Sequence, residues 1–516
     1  MAYKNKIKSK SNAKKNKKKP AITKSRKNSK TKSKTKKSKF KRKYISWLLC
    51  ACVILVIIVS IYHTFKPLPH NISTLSPESR TNNLELLTDV TYQSGNKVKA
   101  KQEIFDKVNE TIEEADDFII MDMFLFNAYK MDDKLYPNIT DRLTKSLVAK
   151  KKSNPNMRII VVTDPLNTFY GSYTPPNIKE LKENNIDVHF TNLRKLRDVN
   201  PIYSGGYRTF GQWFGNSENG MLRNPLSQQA PNVTVRGYLD LFNLKANHRK
   251  TLVTEKHGMV LTSNPHDSSG YHQNVGVRFT GPLQKSLIKS ELAVVNMGGA
   301  HYSADDFNIK ENSWKDDDDY SVQLATEGKI KEQMIKHIRK LQSKDRISIG
   351  MFYLSDRDIV NELVKASKRN VDIRLILDIN KDAFGRKKNG VPNKPVASEL
   401  INRSNGNIKV RWAITHGEQF HSKYLLMEQH ENKDATMILG SANLTKRNIG
   451  DYNLESDIIV KGKQDSQPFK KLSNTFNDEW NNKNHKMTAQ YSDYKDESLL
   501  KKILYRIQEK TGLSSF

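Results

Sequence analysis

One order of elements runs twice through this chain, and it narrows the possible folds more than any other feature. Residues 102–126, QEIFDKVNETIEEADDFIIMDMFLF, and residues 328–355, GKIKEQMIKHIRKLQSKDRISIGMFYLS, each show helix-period apolar spacing, then a short apolar strand through Met-Phe. Each leads to a strand closing on aspartate, Asp164 and Asp378, and to a third strand, NIDVHFT at 185–191 and NIKVRWA at 407–413. Helices alternating with apolar strands imply α/β lobes with mostly parallel sheets. The expected body is two copies of one unit, lobe one over 82–300 and lobe two over 321–465. The polar, acidic stretch 301–320 is the linker, and 466–516 reads as a helical segment packed on lobe two.

Each lobe then carries a histidine and a lysine two apart. NHRKTLVTE supplies His248, Lys250 and Glu255; FHSKYLLME supplies His421, Lys423 and Glu428. In a strand, residues i and i+2 share a face roughly 6–7 Å apart. A cation beside a histidine disfavours a metal and suits an anion. Zinc is the rival reading, but lysine is not a usual zinc ligand and its charge repels the ion. Downstream of each pair lies a small-residue turn with an asparagine, Asn264 in TSN and Asn443 in GSAN. One such pair means little; two at matching positions form a strong signal.

These residues resemble the signature of the phospholipase D superfamily, H-x-K-x4-D followed by G-S-x-N, over roughly residues 82–480. Within it the chain looks like the membrane-anchored bacterial branch of cardiolipin synthases and phosphatidyltransferases. The resemblance implies two such lobes packed face to face around one phosphodiester site, with no cofactor and no metal. Breaking a phosphodiester needs a nucleophile, an acid for the leaving oxygen and positive charge around the phosphoryl oxygens. One imidazole attacks phosphorus to give a phosphohistidine, and the other protonates the leaving alcohol and then activates water or an acceptor alcohol. Lys250 and Lys423 neutralise the phosphoryl oxygens, and Asn264 and Asn443 donate to them. By family analogy His248 is the nucleophile and His421 the acid, with an exchange of roles left open.

The chain departs from the family pattern in two places. Glu255 and Glu428 stand where the family has aspartate. The family also orients each histidine with a carboxylate about thirty residues on. In DYNLES that is Glu455, the expected partner of His421. The stretch HQNVGVRF offers only Gln273, Asn274 and Gly276, so an amide, or Asp267, is left to orient His248.

Lobe one carries an insertion, about 191–240. Phe190 precedes His248 by 58 positions, whereas Trp412 precedes His421 by 9. Its segment IYSGGYRTFGQWFGNSENGML, 202–222, is rich in aromatics and glycine. It reads as a lid or membrane-surface element, or as a loop whose aromatics pack on their own lobe. Arg386, Lys387 and Lys388 follow the strand ending at Asp378 and form either a head-group contact or a solvated cluster.

The charge is uneven. Residues 1–43 hold 21 of the 87 Lys and Arg and no Asp or Glu, leaving a body near +11. This arm, almost without apolar residues, is expected to be disordered and cytoplasmic. A transmembrane anchor over 44–65 follows; its apolar run Ile45–Tyr62 spans about 27 Å as a helix, close to a bilayer's hydrocarbon thickness. The body is then extracytoplasmic, on a single-pass cell-membrane anchor. Both cysteines, Cys50 and Cys52, lie in the apolar run, so the body uses neither disulfide nor thiolate chemistry.

The expected function is a membrane-anchored phospholipase D-type phosphodiesterase or phosphatidyltransferase, with phospholipid substrate and membrane as partners and the oligomeric state left open. A family nuclease is the first alternative, although no base-reading motif or stacking platform points to nucleic acid. A non-catalytic lipid-binding scaffold is the second, and the intact His-Lys pairs and asparagines stand against it.

Overall fold

The computed structural model describes residues 28–130, 132, 134–309, 319–383 and 386–513. The chain divides into two units, Met1–Ile57 and Ile58–Phe516.

Helix Asn28–Phe65 carries the apolar run. Its stretch Lys39–Phe65 is, among the described residues, the one helix long and apolar enough to cross a membrane. Of the arm expected to be disordered, residues 1–27 lie outside the described residues, but 28–43 are helical instead. An apolar helix is already nucleated at Ile45, and extending it backwards through lysines, which are good helix formers, costs little per residue.

The second unit is built on two large sheets. The first half of the chain supplies β1 (Ser79–Thr81), β2 (Leu84–Ser94), β3 (Lys97–Lys101), β4 (Phe118–Met123), β5 (Arg158–Thr163), β6 (Asp187–Phe190), β7 (Lys250–Thr254), β8 (Gly258–Leu261) and β9 (Asn274–Phe279). The second half supplies β10 (Tyr320–Thr326), β11 (Arg346–Met351), β12 (Asp372–Asp378), the ribbon β13 (Asp382–Ala383) and β14 (Arg386–Lys387), then β15 (Ile408–Ala413), β16 (Lys423–Glu428), β17 (Asp434–Gly440), β18 (Ser456–Lys463) and β19 (Thr488–Gln490). One sheet has the order β3-β2-β9-β8-β7-β4-β5-β6, the other β1-β10-β18-β17-β16-β11-β12-β15-β19. The repeat is visible in the shared run β8-β7-β4-β5-β6 and β17-β16-β11-β12-β15.

Three of the expected details are corrected. Only β4-β5-β6 and β11-β12-β15 are parallel; the other pairings in both sheets are antiparallel. The loops after β7 and β16 are too short for a crossover, so each His-Lys strand turns back as a hairpin. The lobe boundaries also shift, because β1, ahead of lobe one, pairs with β10 at the edge of the second sheet. Of the expected linker, 310–318 lie outside the described residues, and Tyr320 already belongs to β10. Finally, the C-terminal segment is not purely helical. It adds β19 beside β15, and its helix Gln467–Asn481 reaches lobe one through Lys471 Nζ, 2.8 Å from Glu103.

The two sheets face each other. Val260, Val275 and Val277 of one meet Leu426, Met437, Leu439, Ile458 and Val460 of the other in a shared core. On the outer faces, Ile119, Met121, Ile159 and Val161 pack under helices Ile104–Glu114 and Ile139–Ser153. Ile347, Ile349, Ile373 and Leu375 pack under Gly328–Lys340, Arg357–Lys368 and Asn393–Arg403. Both faces of the central strands are therefore buried, which is why they read as unbroken apolar runs. Each such side chain contributes about 1.5–3 kcal/mol.

Candidate active site

Both His-Lys pairs are set by the same local device. Asp164, just past β5, accepts the backbone N–H of Asn247 through Oδ2 at 2.7 Å. Asp378, at the end of β12, accepts that of Phe420 at 2.9 Å. The aspartates closing the second strand of each repeat thus pin the residue before each histidine. Lys250 and Lys423 then open β7 and β16, and each ammonium turns back to the carbonyl of its own histidine, at 2.5 Å and 2.7 Å. The same-face expectation from i, i+2 spacing holds in both copies. Phe124 and Phe352, which close the Met-Phe pairs, lie 4.8 Å and 5.2 Å from the imidazoles of His248 and His421, centroid to centroid.

The lobes exchange partners. His248 N–H donates to Leu454 O, and Leu454 N–H to Ala246 O. Gln273 N–H donates to Gln419 O in the mirrored position. These crossings bring Glu455 Oε2 to 3.0 Å from His248 Nδ1 and Asn274 Oδ1 to 3.0 Å from His421 Nδ1. The expected pairing of Glu455 with His421 is therefore corrected: the strand after each asparagine turn feeds the histidine of the opposite lobe, because the sheets meet face to face. The amide expected at His248 instead serves His421. Asn274 Nδ2 faces His272 O and Asp89, which leaves its carbonyl oxygen for the imidazole. Asp267 is elsewhere, accepting the backbone N–H of Thr140. Gly276 packs so closely on Leu261 that a Cβ there would lie 2.6 Å from its side chain.

Glu255 and Glu428 do not reach the site, which corrects their expected place in it. Each lies five residues beyond its lysine, roughly 17 Å along the strand. Glu255 accepts the backbone N–H groups of Asp116 and Asp117, and Glu428 accepts the hydroxyl of Ser473. Their work is to fasten strand ends.

His248, His421, Asn264 and Asn443 all line one cavity of about 480 Å³. The side-chain oxygens of both asparagines are buried without a hydrogen-bond partner. Lys388, Arg447 and Tyr353 line the same cavity, and among the described residues no Asp or Glu does. Lys388 reaches the Tyr353 hydroxyl; the side chains of Arg386 and Lys387 lie outside the described residues. Sequence reasoning missed Arg447, Ser441 and Asn448. Ser441 Oγ donates to Glu455 at 2.5 Å, and the Asn448 amide donates to the other carboxyl oxygen. The second copy's GSAN turn was a signal for Ser441; nothing local marks the other two.

Burial dominates the electrostatics. It holds both imidazoles well below the usual histidine range, aided by the two lysines. It draws Lys250 down to about 7 and Lys423 well below the usual lysine range. Burial also pushes Glu455 up to about 8, against the pull of Lys250. The site is thus short of negative charge, and a bound phosphate would favour the charged forms of both lysines.

Residues 334–480, most of lobe two, match the family model described as cardiolipin synthase, PLD-like domain. The phosphatidylserine synthase of Haemophilus influenzae has a similar fold, with TM-score 0.51 and 10% identity over 85% of this chain and 95% of that one. The polyphosphate kinase of Porphyromonas gingivalis aligns with TM-score 0.42 and 12% identity, over 84% of this chain and 53% of that one. A phospholipase D family member, Nuc from Salmonella typhimurium, aligns with TM-score 0.26 and 21% identity, over 33% of this chain and 98% of that one. Among curated proteins none matches the chain. The family match over residues 334–480, with the fold shared with the phosphatidylserine synthase, supports an enzyme of the phosphodiesterase or phosphatidyltransferase type. Over residues 334–480 the chain carries a phospholipase D-like domain, and its fold as a whole is similar to that of the phosphatidylserine synthase.

Proposed function

We propose that the protein is a membrane-anchored phosphatidyltransferase or phospholipase D acting on phospholipid, cardiolipin synthase-like, through a phosphohistidine on His248. The observation that carries this reading is the convergence of both histidines and both asparagines on one cavity without a lining carboxylate. Such a cavity favours a phosphodiester and disfavours a cation.

The carboxylate at Nδ1 distinguishes His248. With Nδ1–H held by Glu455, the Nε2 lone pair attacks phosphorus and the P–O bond to the leaving alcohol breaks. The leaving oxygen takes its proton from His421 Nε2. Water or an acceptor alcohol then gives a proton back to His421 Nε2 and attacks phosphorus, breaking the P–N bond. Glu455 stabilises the imidazolium formed on His248. The lysines and asparagines hold the phosphoryl oxygens. The helix Lys39–Phe65 anchors the body, and the 21 basic residues of 1–43, ahead of its apolar run, support a cytoplasmic N-terminus and an extracytoplasmic site. A tethered site meets membrane lipid at high effective concentration.

Incubation of the purified full chain with labelled phosphatidylglycerol tests the reading. Cardiolipin with glycerol marks transfer, and phosphatidic acid marks hydrolysis. Degraded DNA with intact lipid overturns the proposal in favour of a nuclease. No turnover, with head-group binding retained, overturns it in favour of a scaffold.

The pH profile tests the role of Glu455. In the free enzyme this carboxyl must be ionised, so kcat/KM rises as pH climbs through about 8. Lys250 must be protonated to hold phosphate, so kcat/KM falls as pH climbs through about 7. His421 must also be protonated to act as the acid, and burial holds it well below the usual histidine range. The opposing titrations offset each other, and the expected profile is a low, broad maximum below about 7. Glu455→Gln removes the rising limb and leaves the falling one. A rising limb that survives the substitution assigns it to another group.

A further inference from the structure

The insertion of lobe one carries an apolar crest that the catalytic site does not use. Ile202, Trp213, Phe214 and Met221 are 74%, 74%, 70% and 92% exposed, and Phe210 is 56% exposed. The crest is held by built structure rather than by a loose loop. Helix Pro201–Gly206 leads into the π-helical turn Tyr207–Gly211. Arg208 is bound to the fully buried Asp198 at 2.9 Å, and Arg236 Nη1 donates to Gly211 O at 2.7 Å. Large aromatics displayed on a braced scaffold are organised to meet an apolar phase.

The neighbours of the crest say which phase. Ser60 Oγ, in the last turns of the apolar helix, donates to Pro201 O at 2.7 Å, next to Ile202. Asp198 N–H donates to His63 O at 2.9 Å. Just past the helix end, Arg197 Nε donates to Lys66 O at 2.8 Å, and Lys66 Nζ donates to Arg194 O at 2.9 Å. The insertion therefore grips the turns where a membrane-crossing helix leaves the bilayer. Arg194 and Lys195 are exposed beside these contacts, with charge suited to lipid phosphates. The other end of the insertion, Asn224 to Ser227, lines the catalytic cavity.

We propose that this crest docks into the head-group and acyl boundary of the bilayer, so that the cavity mouth rests on the membrane surface. A phospholipid can then present its head group to His248 while its acyl chains stay in the membrane. The docking rests on the helix crossing a bilayer and is independent of the reaction chemistry. The partner is the lipid surface, since the crest continues the level at which the helix ends.

The test uses the full chain with Cys50 and Cys52 replaced by serine. A single Phe214→Cys site carries an environment-sensitive fluorophore, and the protein is reconstituted in vesicles of phosphatidylglycerol and phosphatidylethanolamine. Spin-labelled lipid is expected to quench this probe several-fold more than a probe at Lys365→Cys, on an outer helix of lobe two. Equal quenching at the two sites overturns the proposal. So does disulfide crosslinking between Phe214→Cys chains without quenching, which makes the crest an interface between copies.

A second variant separates docking from chemistry. Trp213→Ser with Phe214→Ser removes exposed side chains outside the cavity. It should lower turnover of vesicle phospholipid roughly ten-fold, the scale of losing buried aromatic contact. Turnover of a short-chain phospholipid dissolved as monomers should be unchanged. An equal loss on both substrates overturns the proposal. If neither lipid is turned over by the parent chain, the proposed chemistry fails, and the quenching still decides the docking.

Discussion

Replacing His248 by alanine should lower kcat by about 10⁴-fold or more, because it removes the proposed nucleophile of the proposed covalent step. His421→Ala should cost about 10²–10⁴-fold, the scale of a positioned acid–base group. The two losses differ in kind as well as size. His248 has a carboxylate at 3.0 Å from Nδ1, whereas His421 has an amide oxygen at the same distance. The partner at His248 can stabilise a developing positive charge; the partner at His421 orients the ring without that charge. A phosphatidyl substrate with a p-nitrophenol leaving group needs no acid. On it, His421→Ala should still form the first bond and, having lost the base for the second step, accumulate a base-stable, acid-labile phosphoenzyme. His248→Ala should form none. Trapping of label on the His248→Ala protein instead would exchange the two roles.

The second large effect is on stability. Arg249 lies between His248 and Lys250 on the opposite face and is fully buried. Its Nη2 donates to Glu327 Oε1 at 2.7 Å, and its Nη1 stands 3.5 Å from Glu291. The same Glu327 carboxylate accepts the backbone N–H of Glu455 at 3.0 Å and that of Ser73 at 2.8 Å. One side chain thus ties together the first His-Lys strand, the carboxylate that serves His248, and the segment after the apolar helix. Its backbone sits at φ 48°, an unfavourable conformation for a non-glycine residue that costs of order 1–3 kcal/mol unless neighbours hold it. Glu327→Ala should destabilise the protein by about 3–5 kcal/mol, because it leaves a buried guanidinium short of its main partner. Glu327→Gln should cost less. Denaturant unfolding of the full chain in detergent measures both, and a loss below about 1 kcal/mol for alanine would remove Glu327 from this role.

Much of the fold was legible because periodicity is a local property. The apolar strands around Ile120 and Ile349, the helices ahead of them and the aspartates after β5 and β12 appear in the same order twice. That order leads to two α/β lobes. The antiparallel half of each sheet was harder to read, since β8, β9, β17 and β18 are as apolar as parallel strands. Both of their faces are covered, so no alternation marks their direction. The strand Thr488–Gln490 is only three residues long, too short to show a period.

At the site, the sequence by itself determined which side chains share a face: His248 with Lys250 and His421 with Lys423, from the two-residue period of a strand. It also determined the long apolar helix Lys39–Phe65. Only the tertiary structure decided who meets whom. Glu455 lies 207 positions from His248, and Asn274 lies 147 positions from His421. Arg249 finds Glu327 across 78 positions, and the insertion reaches Ser60 across 141. Periodicity specifies the direction in which a residue points relative to its own strand. It does not specify the surface that will stand opposite, because that depends on how two separately formed sheets close on each other.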